Sequence, residues 1–308
     1  MSIPGFNKII RYAINRYHGL NLLCCEIRNT RFNLRRFQLE HEILYSNNNG
    51  VTSDLYGEHE IIISLTTHGR RLHDVCYTIE SLMQQTCPAN RIVLWLDHIT
   101  MSQKLPVALN KQMKRGLEIY ETPDIRSYTK LIPTLKAFPD AAIITVDDDV
   151  IYDFDLIERL IMAHQTTPDA IYACRVHSME FDNNGNLLPY HKWGFTKASI
   201  PKRHFATGVG GVLYPPGSLG TEVLNEKVFL NICPTGDDIW FTAMAKLNGT
   251  PIMKVETRNR NGEDYILNHA IQDMGLRHIN IGKNGKDGKN DEQIKAVFTK
   301  YGIYDLIR

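Results

Sequence analysis

The chain has 308 residues, 43% of them hydrophobic and 22% charged, an ordinary make-up for a folded protein with room for one large α/β domain or two small ones. Its 35 basic and 34 acidic side chains leave a net charge of +1, so no overall field directs it to nucleic acid. No window approaches the roughly 20 apolar residues of a spanning helix. The six cysteines (Cys24, Cys25, Cys76, Cys87, Cys174, Cys233) lack C-x-x-C spacing and read as reduced, mostly buried thiols.

The N-terminal 40 residues carry seven cations (Lys8, Arg11, Arg16, Arg28, Arg31, Arg35, Arg36) against Glu26 and Glu40, interleaved with Ile9, Ile10, Tyr12, Ile14, Leu20, Leu22 and Leu23. Such a segment reads either as an amphipathic stretch lying on an anionic membrane or as a helical packing arm with a solvated basic face. Charges at Lys8, Arg11 and Arg16 interrupt any signal-peptide core, and a cytoplasmic location is expected, peripheral to the inner membrane if the arm binds lipid. A polar, turn-rich stretch follows, so residues 1–57 are expected to be arm plus linker and 58–308 the main domain.

In that domain, residues 61–65 read as a strand. Residues 72–85 show helical periodicity (Leu72, Val75, Cys76, Ile79, Leu82, Met83), and 91–96 form a second strand closing at Asp97, which completes a βαβ unit. A helix near 105–115, a strand at 117–120, a Pro133-interrupted segment at 128–138 and an apolar strand at 141–146 follow. The alternation predicts an α/β fold whose mostly parallel central sheet has helices on both faces. Further on come a helix at 155–165, a strand at 170–176, a hairpin-like stretch at 181–186, a glycine-entered strand at 207–214 and a helix at 236–247. Residues 282–290 are rich in glycine, lysine and asparagine, and the region 282–308 is expected to be a mobile tail.

Chemistry concentrates at Asp147-Asp148-Asp149, directly behind the apolar strand. In open α/β sheets ligands bind beyond the carboxyl ends of the strands. Three adjacent carboxylates resist close approach unless a cation neutralises them, and oxygen-only ligands suit Mg²⁺ or Mn²⁺. An acidic turn at a strand end is the plainer alternative.

A second acidic pair, Asp237-Asp238, opens the helix at 236–247. Thr235 is a natural N-cap with Asp238 at the capping-box position, so helix chemistry alone could account for the pair. The helical wheel puts Asp237 near the edge of the apolar set Ile239, Trp240, Ala243, Met244 and Leu247, and Asp238 on the opposite side.

The order of these features resembles glycosyltransferases of the GT-A fold, especially the family 2-like bacterial enzymes, over roughly residues 60–249. The resemblance implies a nucleotide-binding half at 58–152 and an acceptor half at 153–281. It implies a metal-dependent hexosyl transfer from a nucleotide-sugar, a UDP-sugar foremost, to a saccharide or lipid-linked acceptor, as in polysaccharide biosynthesis. Asp147-Asp148-Asp149 matches the family's DXD motif: Asp147 and Asp148 would contact ribose and metal, with Asp149 the foremost Mn²⁺ or Mg²⁺ ligand and His269 a further candidate. Thr66, Thr67 and Asp97 would contact base or ribose, and Lys130 or Arg126 would face the nucleotide. The family's late acid pair supplies a general base for an inverting transfer, here Asp238 with Asp237 as the alternative; the usual Glu-Asp is replaced by Asp-Asp. Acceptor contacts would come from His177, Trp193 stacking on a sugar face, and the Gly210-Gly211 strand.

Two rival readings remain at this level. Asp147-x-Asp149-Val150 with Gly236-Asp237-Asp238 also resembles haloacid-dehalogenase-type phosphohydrolases, although their nucleophile loop normally follows the first strand of the domain and their late acids follow a strand. A non-catalytic sugar-nucleotide-binding module is the other.

Overall fold

Buried apolar strands build the centre of the molecule. The structure, a computed structural model, describes residues 6–195, 200–259, 261–268, 280 and 288–308, and side chains at 19, 20 and from 22 onward within that set. Strands β1 (Ile61–Thr66), β2 (Arg91–Leu96), β3 (Leu117–Glu121) and β4 (Ala142–Thr145) open the order. After them come β5 (Val150–Tyr152), β6 (Ile171–Ala173), β7 (Val176–Ser178), β8 (Gly194–Phe195), β9 (His204–Ala206), β10 (Val212–Tyr214), β11 (Ile252–Lys254) and β12 (Tyr265–Leu267). Seven of them form one sheet in the order β11-β6-β10-β4-β1-β2-β3, with only β10 running against its neighbours. This is the expected mostly parallel α/β sheet. Every residue of β4 is buried, as strands covered on both faces require.

Helices cover both faces. Ile144 of β4 joins a core with α2 (Val75–Met83), α4 (Val107–Met113) and α6 (Leu156–Thr166), while its neighbour Ile143 points into the opposite core. That second core takes in α5 (Ile132–Ala137), α7 (Glu226–Ile232) and α8 (Asp237–Leu247). The chain steps outward from β1 to β2 and β3, then returns to lay β4 on the other side of β1. The strand order therefore reverses between β1 and β4, the topological position where open α/β sheets hold their ligands.

Several expectations are corrected. Residues 170–176 are not one strand: the chain breaks into β6 and β7 around Cys174, whose N–H donates to Gly211 O at 3.2 Å and whose carbonyl lies where a Cβ on Gly262 would stand, at 2.0 Å. Residues 208–210 form a 3₁₀ turn, so the glycine-entered strand is only β10. The 72–85 helix begins as a 3₁₀ turn at Gly69–His73 before α2. From residue 290 the expected mobile tail is two helices, α9 (Asn290–Tyr301) and α10 (Ile303–Ile307). Their Ile294, Val297, Phe298, Ile303 and Ile307 recur at helical spacing and are buried in the second core.

The arm is a single helix, α1 (Phe6–Tyr45), as the packing-arm reading expects. Its C-terminal half packs: Leu39 and Ile43 are buried, and Arg36 reaches Tyr77 Oη at 3.0 Å while Tyr77 donates to Glu40 at 2.7 Å. Leu20, Leu22, Leu23 and Ile27 are each more than half exposed. Among the described residues no helix is long and apolar enough to cross a membrane. The linker is fixed too, by Gly50 N–H to Arg115 O at 2.8 Å and Thr52 N–H to Ala89 O at 3.0 Å.

Candidate active site

The acid triplet leaves β4 at the strand-order reversal, and its carboxylates are met by two cations, Arg71 and Lys130. Asp148 turns inward and is 7% exposed. Its Oδ2 accepts from Thr67 Oγ1 at 2.7 Å, and its Oδ1 from Arg71 Nη1 at 2.6 Å. Thr78 Oγ1 also ties down its backbone carbonyl at 2.9 Å. Asp149 lies 3.3 Å from Arg71 Nη2. Asp147, the most exposed of the three, accepts from Lys130 Nζ at 2.9 Å.

Two internal cations thus stand against carboxylates for which the sequence argument sought a neutralising cation. Sequence reasoning missed Arg71. It sits in a 3₁₀ turn one turn before α2, and no local pattern separates it from Arg70. Compensation is incomplete all the same, because burial, then the charges of Asp147 and Asp148, push Asp149 up to about 7 in spite of Arg71. Burial likewise raises Asp148, against the pull of Arg71 and Thr67.

Lys130 is the junction of the two acidic sites. Its Nζ lies 2.9 Å from Asp147 Oδ1 and 2.9 Å from Asp237 Oδ2. Burial opposes its charge, yet Asp147, Asp237 and Asp238 together hold its pKa well above the ordinary lysine value. The triplet and the α8 acids, far apart in sequence, are therefore brought together around one lysine.

The α8 acids are not caps. The N-cap residue is Gly236 and makes no side-chain cap, while Thr235 bonds instead to Asn280 at 2.7 Å and to Gln293. Asp238 Oδ1 accepts the N–H of Gly208 at 3.0 Å. Burial first, then Asp237, raises its carboxyl to about 7 although Lys130 pulls the other way. Gly208 was also missed: a Cβ there would stand 2.6 Å from Lys130 Nζ and 3.2 Å from Asp238 Oδ1, so only glycine leaves the lysine its place.

The other predicted residues divide. Thr67 belongs to the cluster; Thr66, at the end of β1, donates to Trp95 O at 2.9 Å. Asp97 has both oxygens engaged by Thr100, at 2.9 Å to its N–H and 2.7 Å to its hydroxyl, capping the short helix α3 (His98–Met101), and these bonds lower its pKa against the effect of burial. Arg126 is exposed with φ +62° and reaches Pro234 O at 3.2 Å, just ahead of α8. Gly211, at φ +90°, turns the chain into β10, and Gly210 packs on Arg175.

Trp193 is corrected as a stacking platform. It is 6% exposed, its Nε1 donates to Leu188 O at 2.8 Å, and Tyr190 and Phe205 pack on it with centroids at 5.1 and 5.3 Å. His177 lies in the same aromatic group, 5.1 Å from Phe195. His269 lies outside the described residues, among which no three or more His, Cys, Asp or Glu side chains converge as a metal set.

No family model and no curated protein matches the chain. Among solved structures it is similar to CMP:2-keto-3-deoxy-manno-octonic acid synthetase complexed with CTP, at 12% identity over 65% of this chain and 90% of that one, with a TM-score of 0.38. It is also similar to S. aureus TarS 1–349, solved with UDP and without, at 14% identity and a TM-score of 0.44, over 64% of this chain and 59% of TarS. Likenesses this distant carry no argument about chemistry, and the α/β class rests on the sheet itself.

Proposed function

We propose that the chain is a glycosyltransferase that moves a sugar from a nucleotide-sugar, a UDP-sugar foremost, to a saccharide or lipid-linked acceptor with inversion. The observation that carries this reading is the Lys130 junction, which joins the acid triplet at the strand-order reversal to the acid pair of α8. A donor diphosphate bound at the triplet then has a carboxylate base across the cleft from it, the arrangement an in-line displacement needs.

Within the pair, Asp238 is the base. Asp237 is engaged by Lys130, whereas Asp238 is half-buried, gives one oxygen to Gly208 and has a carboxyl raised to about 7, near the pH at which a general base works best. It takes the proton of the acceptor hydroxyl as that oxygen attacks the anomeric carbon. Lys130, 2.9 Å from Asp237, presents a positive charge to the departing diphosphate. Asp148 is the buried brace that fixes the loop, tied by Thr67, Arg71 and Thr78.

The oxygen-only pair Asp147 and Asp149, the latter with its carboxyl raised to about 7, fits Mg²⁺ or Mn²⁺, and the ion when bound would supply stabilisation of the leaving diphosphate. Asp97 and Thr66, at the carboxyl ends of neighbouring strands, flank the place of the base and ribose. The exposed Leu20, Leu22, Leu23 and Ile27, alongside Arg28 and Arg31, lay α1 on an anionic membrane, which suits a lipid-linked acceptor.

Thermal stabilisation by a panel of UDP-, GDP- and dTDP-sugars, followed by transfer assays with and without Mn²⁺, tests the reading. A ligand at 100 times its Kd adds about 2.7 kcal/mol. If no nucleotide-sugar stabilises the protein while phosphate monoesters are hydrolysed, the phosphohydrolase reading takes its place.

A further inference from the structure

Arg175 stands at the break between β6 and β7 and is held to the same loop as the proposed base. Its carbonyl accepts from Thr207 N–H at 3.0 Å and its Nη1 donates to Thr207 Oγ1 at 3.0 Å; the next residue, Gly208, bonds Asp238. Gly210 makes room for it, since a Cβ there would lie 2.9 Å from Arg175 Cβ. The loop also reaches the triplet, since Tyr152 Oη accepts the N–H of Asp147 at 2.9 Å and donates to Val209 O at 3.1 Å.

This guanidinium is poorly paired. Its side chain is 20% exposed, its ion pair with Glu263 is stretched to 4.0 Å, and its buried Nε has no hydrogen-bond partner among the described residues. Two residues on, His177 is 9% exposed, and neither of its buried ring nitrogens has a hydrogen-bond partner there either. Phe195 joins the two, with the Arg175 guanidinium 5.1 Å from its ring centroid and the His177 ring 5.1 Å from it. Burying donors without partners costs about 1–3 kcal/mol each, so such a pair is retained where a ligand completes it.

We propose that Arg175 and His177 form a subsite for an anionic group, a phosphate or a carboxylate, on the acceptor. Arg175 supplies charge and a planar fork of donors, and His177 one neutral N–H. Burial, then Arg175, holds the imidazole down at about 4, so it is neutral in the free protein and an arriving anion pulls its titration upward. The assignment to the acceptor, in place of the donor, rests on the reading of Asp238 as the base.

The probes are inorganic phosphate and, separately, glucuronic acid, titrated into the full chain carrying ¹⁵N-histidine, with the His177 resonances identified by their loss in His177→Phe. Saturable movement of those resonances by either anion, weakened at least ten-fold in Arg175→Gln, is the expected result, and the anion that acts tells phosphate from carboxylate. Glu263→Gln, an exposed change that leaves the fold alone, should tighten the same binding. Resonances unmoved by both anions, or identical titrations in wild type, Arg175→Gln and Glu263→Gln, overturn the proposal. UDP affinity is measured in parallel: if UDP does not bind the wild-type chain, the donor-site reading fails while the anion titration still reports on this subsite.

Discussion

At the scale of the residue, the sharpest expectation concerns Asp238. Asp238→Asn keeps the size of the side chain and an oxygen for Gly208 N–H, but an amide takes no proton from a hydroxyl. Transfer should fall about 10²- to 10⁴-fold with UDP affinity retained. The pH profile has a defined sign. A carboxyl raised to about 7 is protonated and idle below that value, so kcat/KM should climb as pH rises through about 7 and then level. A profile flat from pH 5 to 9 would remove Asp238 from the proton transfer, and a dead Asp237→Asn beside an active Asp238→Asn would move the base by one residue.

Asp149 yields a second pH-dependent expectation. Its folded-state pKa is raised from 3.8 to about 7, so its contribution to stability is fully present below about 4 and is lost as pH rises through about 7. A divalent cation needs the ionised form. The rise in Tm caused by Mn²⁺ should therefore be small at pH 5.5 and several-fold larger at pH 8, and it should vanish in Asp149→Ala. An equal Mn²⁺ effect at both pH values would sink this assignment.

At the scale of the element, polar contacts decide where helices and linkers sit. Glu80 on α2 has no exposed surface, accepts from Arg115 at 2.8 and 3.0 Å and from Gln112 at 3.1 Å, while Arg115 Nε holds Asn48 O at 2.7 Å. One buried ion pair thus clamps α2, the end of α4 and the linker. Removing one partner leaves an uncompensated buried charge, so Glu80→Ala should cost about 3–5 kcal/mol in urea unfolding.

The elements show what a local pattern can carry. Strands β1, β2, β3 and β4 and helices α4 and α6 were legible, because each is a one-face or two-face apolar run whose period is set within a few residues. Residues 170–176 were not: Cys174 is turned out of its strand by Gly211 and Gly262, which come from later in the chain. The Thr235–Asp238 capping box failed for the same reason, since Gly208, Asn280 and Gln293 compete for those side chains from a distance.

At the scale of the molecule, α1 joins two surfaces of different kinds. One face of its C-terminal half, with Phe32, Leu39 and Ile43, is buried, and Leu39→Ala should cost about 2–5 kcal/mol. Its outer half exposes Leu23 and Ile27. Changing both to Ser should leave Tm within about 1 °C and sharply lower binding to anionic vesicles at low salt. If the wild-type chain ignores such vesicles, or the double variant binds them as well, the membrane reading of the arm fails.

The sequence by itself determined the α/β class, the position of Asp147-Asp148-Asp149 behind a buried strand and that of Asp237-Asp238 at a helix start. Apolar period and the end of a strand are properties of a few neighbouring residues. What only the tertiary structure decided is which charges answer one another: Arg71 on Asp148 and Asp149, Lys130 between Asp147 and Asp237, and Gly208 on Asp238. Charge compensation at a buried site acts through space at a few ångströms, and the groups that supply it arrive from three separate turns of the chain, so no local stretch of sequence records the pairing.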